Sequence, residues 1–252
     1  RQQKILIALG DYVYRRVEEI VFPSAKSLSE WGFRLIEQKR YDDAIEMFRK
    51  ASILDKLSSE ALYGWGHALL QTNRFDEAIN RFESSIEKNP SYDPAYHGWG
   101  IALGYKVDTK KSDEKFKKAV QVNPLYSDAW YNWGVNLIQQ KQYKKAISKF
   151  KKAIKINSSF TQGYHSMGLA LGYIHNYTDA LDSLKMAVAS DPNYAEAWFD
   201  LALLLEKLGY TDDAGEKFHI ARSLGCSRSF QLSGAYSTVV LTRYTGSGES
   251  GD

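Results

Sequence analysis

Cys226 is the only cysteine in the chain, so no internal disulfide can form. Such scarcity fits a reducing compartment, the cytoplasm or an organelle reached with removal of a transit peptide. The first residue is Arg1 rather than methionine, which reads as a processed chain or a fragment of a longer one. Long apolar runs are missing too: none approaches the roughly 18 residues that a membrane span requires. Ile5 to Leu9 is too short for a secretory core. Opposite charges nearly balance, at a formal net of +3, which by itself does not argue for nucleic acid. Signatures of catalysis are absent as well. There is no GxxxxGK phosphate loop and no dinucleotide glycine fingerprint. The five histidines, His67, His97, His165, His175 and His219, form no HxxxH or HExxH pair. No catalytic residue, metal or cofactor is therefore expected, and the chain is read as a non-enzyme.

What the chain does have is a period of 34 residues. Trp31-Gly32, Trp65-Gly66, Trp99-Gly100 and Trp133-Gly134 are followed in register by Met167-Gly168 and Leu201-Ala202. Counting from Ala25, six units fit without a gap and end at Arg228. The eighth position is small throughout, as are the twentieth (Ala44, Ala78, Ser112, Ala146, Ala180, Ala214) and the twenty-seventh. Small residues at matched places let two helix backbones cross closely, where a larger side chain would force them apart. Large residues fill the complementary places, Leu at the eleventh and Phe48, Phe82, Phe116, Phe150, Leu184 and Phe218 at the twenty-fourth. Positions 4, 7, 8 and 11 line one face of a first helix, and positions 20, 24 and 27 one face of a second. Pro90, Pro124 and Pro192 sit where a second helix should stop.

This pattern closely resembles the tetratricopeptide repeat (TPR) family, whose units carry Trp, Leu-Gly, Tyr, Ala, Phe and Pro at these offsets. The resemblance covers residues 25–228 and departs from the family chiefly in preferring Trp at the seventh position. It implies an all-α fold, a right-handed superhelical solenoid of antiparallel helix pairs. The units would be 25–58, 59–92, 93–126, 127–160, 161–194 and 195–228. Ahead of them, Leu6, Leu9, Val13, Val17 and Ile20 form a helical stripe, so residues 1–24 read as an amphipathic capping helix. Behind them, residues 229–252 read as a flexible or extended C-terminal tail, irregular and rich in Ser and Gly. Thr109 replaces the aromatic wedge that Tyr41, Phe75, Tyr143 and Tyr177 supply at the seventeenth position, so 104–118 is expected to be the softest joint.

In the family the first helices line a concave face that holds the partner. The resemblance carries that role onto Phe33, Tyr63, His67, His97, Ile101, Tyr105, Tyr131, Val135, His165, Leu169, Tyr173 and Phe199. Their spacing independently places them along one helical side, beside the packed stripe. Two readings stand: a partner-binding groove, or aromatics spent on packing against the next unit. Chaperone-binding members grip a peptide carboxylate with Lys and Asn at inner positions. Here Ser29, Phe33, Gly64, Pro94 and Gly98 stand there, which argues against an acidic chaperone C-terminal tail. A protein or peptide partner with apolar anchors suits the surface better.

The small net charge conceals a basic block. Lys110 and Lys144, Lys111 and Lys145, Lys117 and Lys151, and Lys118 and Lys152 occupy the same repeat positions, so stacking should align them as a ridge on the second helices. That ridge is a solubilising face or meets an acidic protein, an anionic surface, or the acidic end of another copy as a homo-oligomer. Nucleic acid is the weakest of these, because arginine is scarce and no aromatics interleave with the lysines. The reading is thus a non-enzymatic adapter or scaffold that supports complex assembly. The alternatives are a self-assembling head-to-tail scaffold and the TPR arm of a larger enzyme.

Overall fold

The computed structural model describes residues 23–226. They form twelve α-helices in six consecutive pairs, and no strand occurs among the described residues. The first helices are α1 (Ala25–Glu37), α3 (Ser59–Gln71), α5 (Asp93–Tyr105), α7 (Ser127–Gln139), α9 (Thr161–Tyr173) and α11 (Ala195–Lys207). The second helices are α2 (Tyr41–Leu54), α4 (Phe75–Lys88), α6 (Thr109–Val122), α8 (Tyr143–Ile156), α10 (Tyr177–Ser190) and α12 (Thr211–Ser223). The capping helix expected over 1–24 falls outside the described residues except for its last two. The tail expected over 229–252 lies outside them entirely. No described helix is long and apolar enough to cross a membrane.

Two recurring turns set the phase of the helices. Between the helices of each pair, the fifteenth position is left-handed: Lys39, Asn73, Val107, Lys141 and His175 have φ between 57° and 61°, and Gly209 has φ 87°. The next amide then reaches back to the Leu at the eleventh position, as in Arg40 N to the Leu35 carbonyl (2.9 Å), which closes the helix end. Between pairs, Asp55, Asn89, Asn123, Asn157 and Asp191 each accept the amide of the residue two further on, at 2.9–3.1 Å. An Asx side chain that mimics a backbone turn therefore recurs once per unit.

The chain divides into two compact units, residues 1–102 and 103–252, with the boundary inside α5. In the first unit, α1 to α4 pack in succession, and α1 also touches α3. Phe48 of α2 is fully buried between Gly32 of α1 and Gly64 of α3. A Cβ on Gly32 would come 2.7 Å from that ring, and one on Gly64 would come 2.3 Å from it. The glycines are thus required by close approach. Phe82 repeats the arrangement between Gly66 and Gly98.

In the second unit α6 to α12 also pack in succession. Helix α9 touches both α7 and α11, so the first helices form a continuous layer with the second helices set against it. One apolar cluster, including Phe150, Leu171, Leu184, Leu201 and Leu205, runs through this unit. Where Thr109 has replaced the aromatic wedge, a polar clamp joins α6 to α7. Asn136 Nδ2 donates to the Thr109 carbonyl (2.9 Å) and to Asp113 Oδ1 (2.8 Å), and Gln140 Nε2 donates to Asp113 Oδ2 (2.9 Å).

Candidate functional site

The first-helix residues picked out by the repeat phase fall into two classes in each unit. In the first unit Phe33, Tyr63, His67 and Ile101 are half-buried, whereas His97 is buried. Phe33 meets the Phe48 ring edge-on at 4.9 Å, and Tyr63 stacks on His67 at 5.9 Å. In the second unit Tyr105, Tyr131, Tyr173 and Phe199 are half-buried, while Val135, His165 and Leu169 are buried. The buried three sit where α7, α9 and α11 press on one another and on their second helices, so the half-exposed aromatics stand on a packed base.

A second periodic feature, outside the first-helix positions, explains much of this division. The thirty-fourth position, in the loop that closes a unit, is aromatic at Tyr92, Tyr126, Phe160 and Tyr194. Several of these rings fold onto the fifth-position residue of their own unit. Tyr63 meets Tyr92 edge-on at 5.5 Å, Tyr131 lies 4.9 Å from Phe160, and His165 meets Tyr194 edge-on at 5.1 Å. Part of the aromatic ladder is therefore spent on packing, with His165 buried and Tyr63 and Tyr131 left partly accessible. The periodic aromatics at 92, 126, 160 and 194 were the available signal.

Polar groups complete the layer in the second unit. His165 lies with Nε2 2.7 Å from Asp200 Oδ2, and the Tyr194 hydroxyl is 3.1 Å from His165 Nδ1. Both His165 and Asp200 are buried. Tyr131 Oη and Ser166 Oγ are 3.4 Å apart. Tyr173 stacks on Tyr143 at 4.7 Å, and its hydroxyl is pushed up to about 12 by burial, with Tyr143 and Asp200 adding to the shift. In the first unit burial holds His97 down at about 4, helped by the neighbouring His67, and burial also lowers His67. Both shifts leave these imidazoles neutral at pH 7. Among the described residues no three His, Cys, Asp or Glu side chains gather as a metal site.

The basic residues lie elsewhere. Lys110, Lys111, Lys117 and Lys118 of α6 and Lys144, Lys145, Lys151 and Lys152 of α8 are all exposed. Lys149, between them in sequence, is half-buried over Trp133 at 3.7 Å, and burial lowers its pKa.

Comparison with known proteins bears on the helix pairs and not on a particular ligand. No curated protein matches the sequence significantly. Among solved structures, YrrB, described as a TPR protein with an unusual peptide-binding site, aligns with TM-score 0.58 and 22% identity over 72% of this chain and 93% of its own. PilF of Pseudomonas aeruginosa aligns with TM-score 0.72 and 15% identity over 81% of this chain and 93% of its own. A chain of the APC/C hetero-tetramer Cut9–Hcn1 aligns with TM-score 0.72 and 16% identity over 86% of this chain and 43% of its own. Identities this low establish the fold alone. Family models described as tetratricopeptide repeat match residues 35–98, 127–160 and 165–223. With six helix pairs in one phase, small residues where backbones cross and a buried Phe or Leu in the second helix of the first five pairs, the chain belongs to the tetratricopeptide repeat family.

Proposed function

We propose that this protein is a non-enzymatic adapter that holds an apolar or amphipathic segment of a partner protein against its first-helix layer. Its family and fold support a protein-interaction scaffold. The observation that carries the finer reading is the pairing, in the second unit, of half-exposed Tyr131, Tyr173 and Phe199 with buried Val135, His165 and Leu169 beneath them. Aromatic groups already fixed by packing lose little freedom when a partner covers them, so more of the contact energy remains as affinity. Three such anchors, at about 1.5–3 kcal/mol gross each for full burial, supply part of the about −8 kcal/mol of a micromolar complex, and further contacts along the layer must offset the association costs. Phe33, Tyr63, His67 and Ile101 offer a second surface of the same kind on the first unit. That YrrB is described as having a peptide-binding site lends support by analogy.

The test uses a display library of amphipathic and extended peptides selected on the full chain, followed by titration of the selected peptide. Tyr173→Ala and Phe199→Ala should each weaken binding about tenfold, the 1.4 kcal/mol expected for losing part of an aromatic anchor. Circular dichroism should show the fold intact. A selected peptide that binds both variants as tightly as wild type removes this surface from the account.

A further inference from the structure

We propose that the outer face of α8, in the second unit, is a separate docking surface for an extended acidic segment of a partner protein. Helix α8 carries six lysines and no carboxylate in the run YKKAISKFKKAIKI. A shallow recess of about 370 Å³ opens on it, lined by Lys144, Ile147, Ser148, Lys151, Lys152 and Lys155. All four of these lysines are exposed. Among the described residues none of the four has a carboxylate partner.

Such a row is costly for a helix to keep. Like charges three and four residues apart, as at Lys151 and Lys155, destabilise a helix by a few tenths of a kcal/mol per pair. The neighbouring second helix α6 relieves the repulsion only in part: Asp113 favours the charged form of Lys149, while Lys117 of the same helix, with Lys145 and Lys152, opposes it. An acidic ligand neutralises that repulsion on binding.

The geometry favours a peptide over other polyanions. Lys144 and Lys151 are seven residues apart, about 10 Å along the axis at 1.5 Å per residue. Every third residue of an extended polyproline II segment returns to the same face and advances by about 9 Å. Two carboxylates three residues apart on such a segment therefore meet Lys144 and Lys151, with the Ser148 hydroxyl between them and Lys152 and Lys155 beside the second. A membrane surface is disfavoured because the face has no bulky apolar group to insert: Ile147 is only 8% exposed. Nucleic acid is disfavoured because no aromatic ring and no arginine line the recess.

The test is fluorescence anisotropy on the full chain with a labelled peptide carrying glutamate at every third residue. Binding is expected, and it should weaken about tenfold between 50 and 200 mM salt, as screening of several exposed charges requires. The variant K144Q/K151Q/K152Q/K155Q should lose about tenfold or more in affinity, whereas the four-arginine variant at the same positions should stay within about twofold of wild type. Phe199→Ala, whose ring packs on Phe218 of α12, should leave this binding unchanged, so the outcome is separable from the first-helix reading. The proposal is overturned if the four-glutamine variant binds as wild type does. It is equally overturned if oligothymidylate or phosphatidylserine vesicles bind as tightly as the peptide, because the face would then be a general polyanion contact or a membrane surface.

Discussion

His165 Nε2 lies 2.7 Å from Asp200 Oδ2 with both side chains buried, so a polar contact ties α9 to α11 inside the first-helix layer. The two residues are 35 apart, one repeat plus one position. With Nε2–H donating to the carboxylate, Nδ1 is free to accept from the Tyr194 hydroxyl, and the three groups satisfy one another. Asp200→Ala leaves a buried imidazole without its acceptor. It should cost about 2–4 kcal/mol of stability in a urea melt, and Asp200→Asn should cost less because one acceptor oxygen remains. Equal stability of Asp200→Ala and wild type would contradict the bridging role.

The glycines on either side of Phe48 test the close crossings. Alanine is ordinarily the better helix former by about 1 kcal/mol. At Gly64, however, the new Cβ would stand 2.3 Å from the Phe48 ring. Overpacking of that kind costs about 1–3 kcal/mol beyond the propensity gain, so Gly64→Ala should be destabilising. Phe48→Leu in the same chain should recover part of the loss. Gly215 on α12 has nothing within 4 Å of its would-be Cβ, so Gly215→Ala should stabilise by about 0.5–1 kcal/mol. Opposite signs for the two changes, read by thermal melts, are the expected result.

Val107 is the β-branched member of the left-handed turn positions, with φ 61° and a side chain that is 77% exposed. Left-handed backbone costs an L-residue about 1–2 kcal/mol, and branching at Cβ worsens it. Val107→Gly should therefore stabilise by about 1 kcal/mol net of the extra chain entropy of glycine. No stabilisation would mean that the turn has relaxed out of this region.

The α6 region should exchange its amides faster than α8 and α9, because Thr109 stands where an aromatic wedge stands in most other units. What holds it is the Asn136 clamp on Thr109 and Asp113. Asn136→Ala leaves the Asp113 carboxylate short of a donor and should cost about 1–3 kcal/mol. Exchange over 104–118 should accelerate further, and unchanged exchange would show the clamp to be idle.

Acid should destabilise the first unit through its histidines. Burial holds His97 at about 4 in the folded chain, against 6.5 when unperturbed. Between those values the unfolded chain binds more protons, so stability rises with pH. The contribution is complete above about pH 6.5 and is lost as pH falls toward 4, to the extent of about 3 kcal/mol. His97→Gln should flatten the pH profile of a denaturant melt across that window. A profile that stays as steep in the variant would assign the effect elsewhere.

The repeat pattern made the helix pairs, their spacing and their wedge residues legible because each unit packs mainly on its neighbours. A contact made in one unit recurs one period on, as Gly32 against Phe48 does in Gly66 against Phe82. The pattern also marked Tyr131, Val135, His165 and Leu169 as one helical side, since side-chain direction follows from helical phase. Phase does not say how deep a residue lies. That was decided by groups arriving from elsewhere in the chain: Phe160 and Tyr194 folding back from the loops, and Asp200 reaching across from α11. Exposure is a property of everything that surrounds a side chain, so the amino-acid order determined which residues share a face, and only the tertiary packing decided which of them remain exposed.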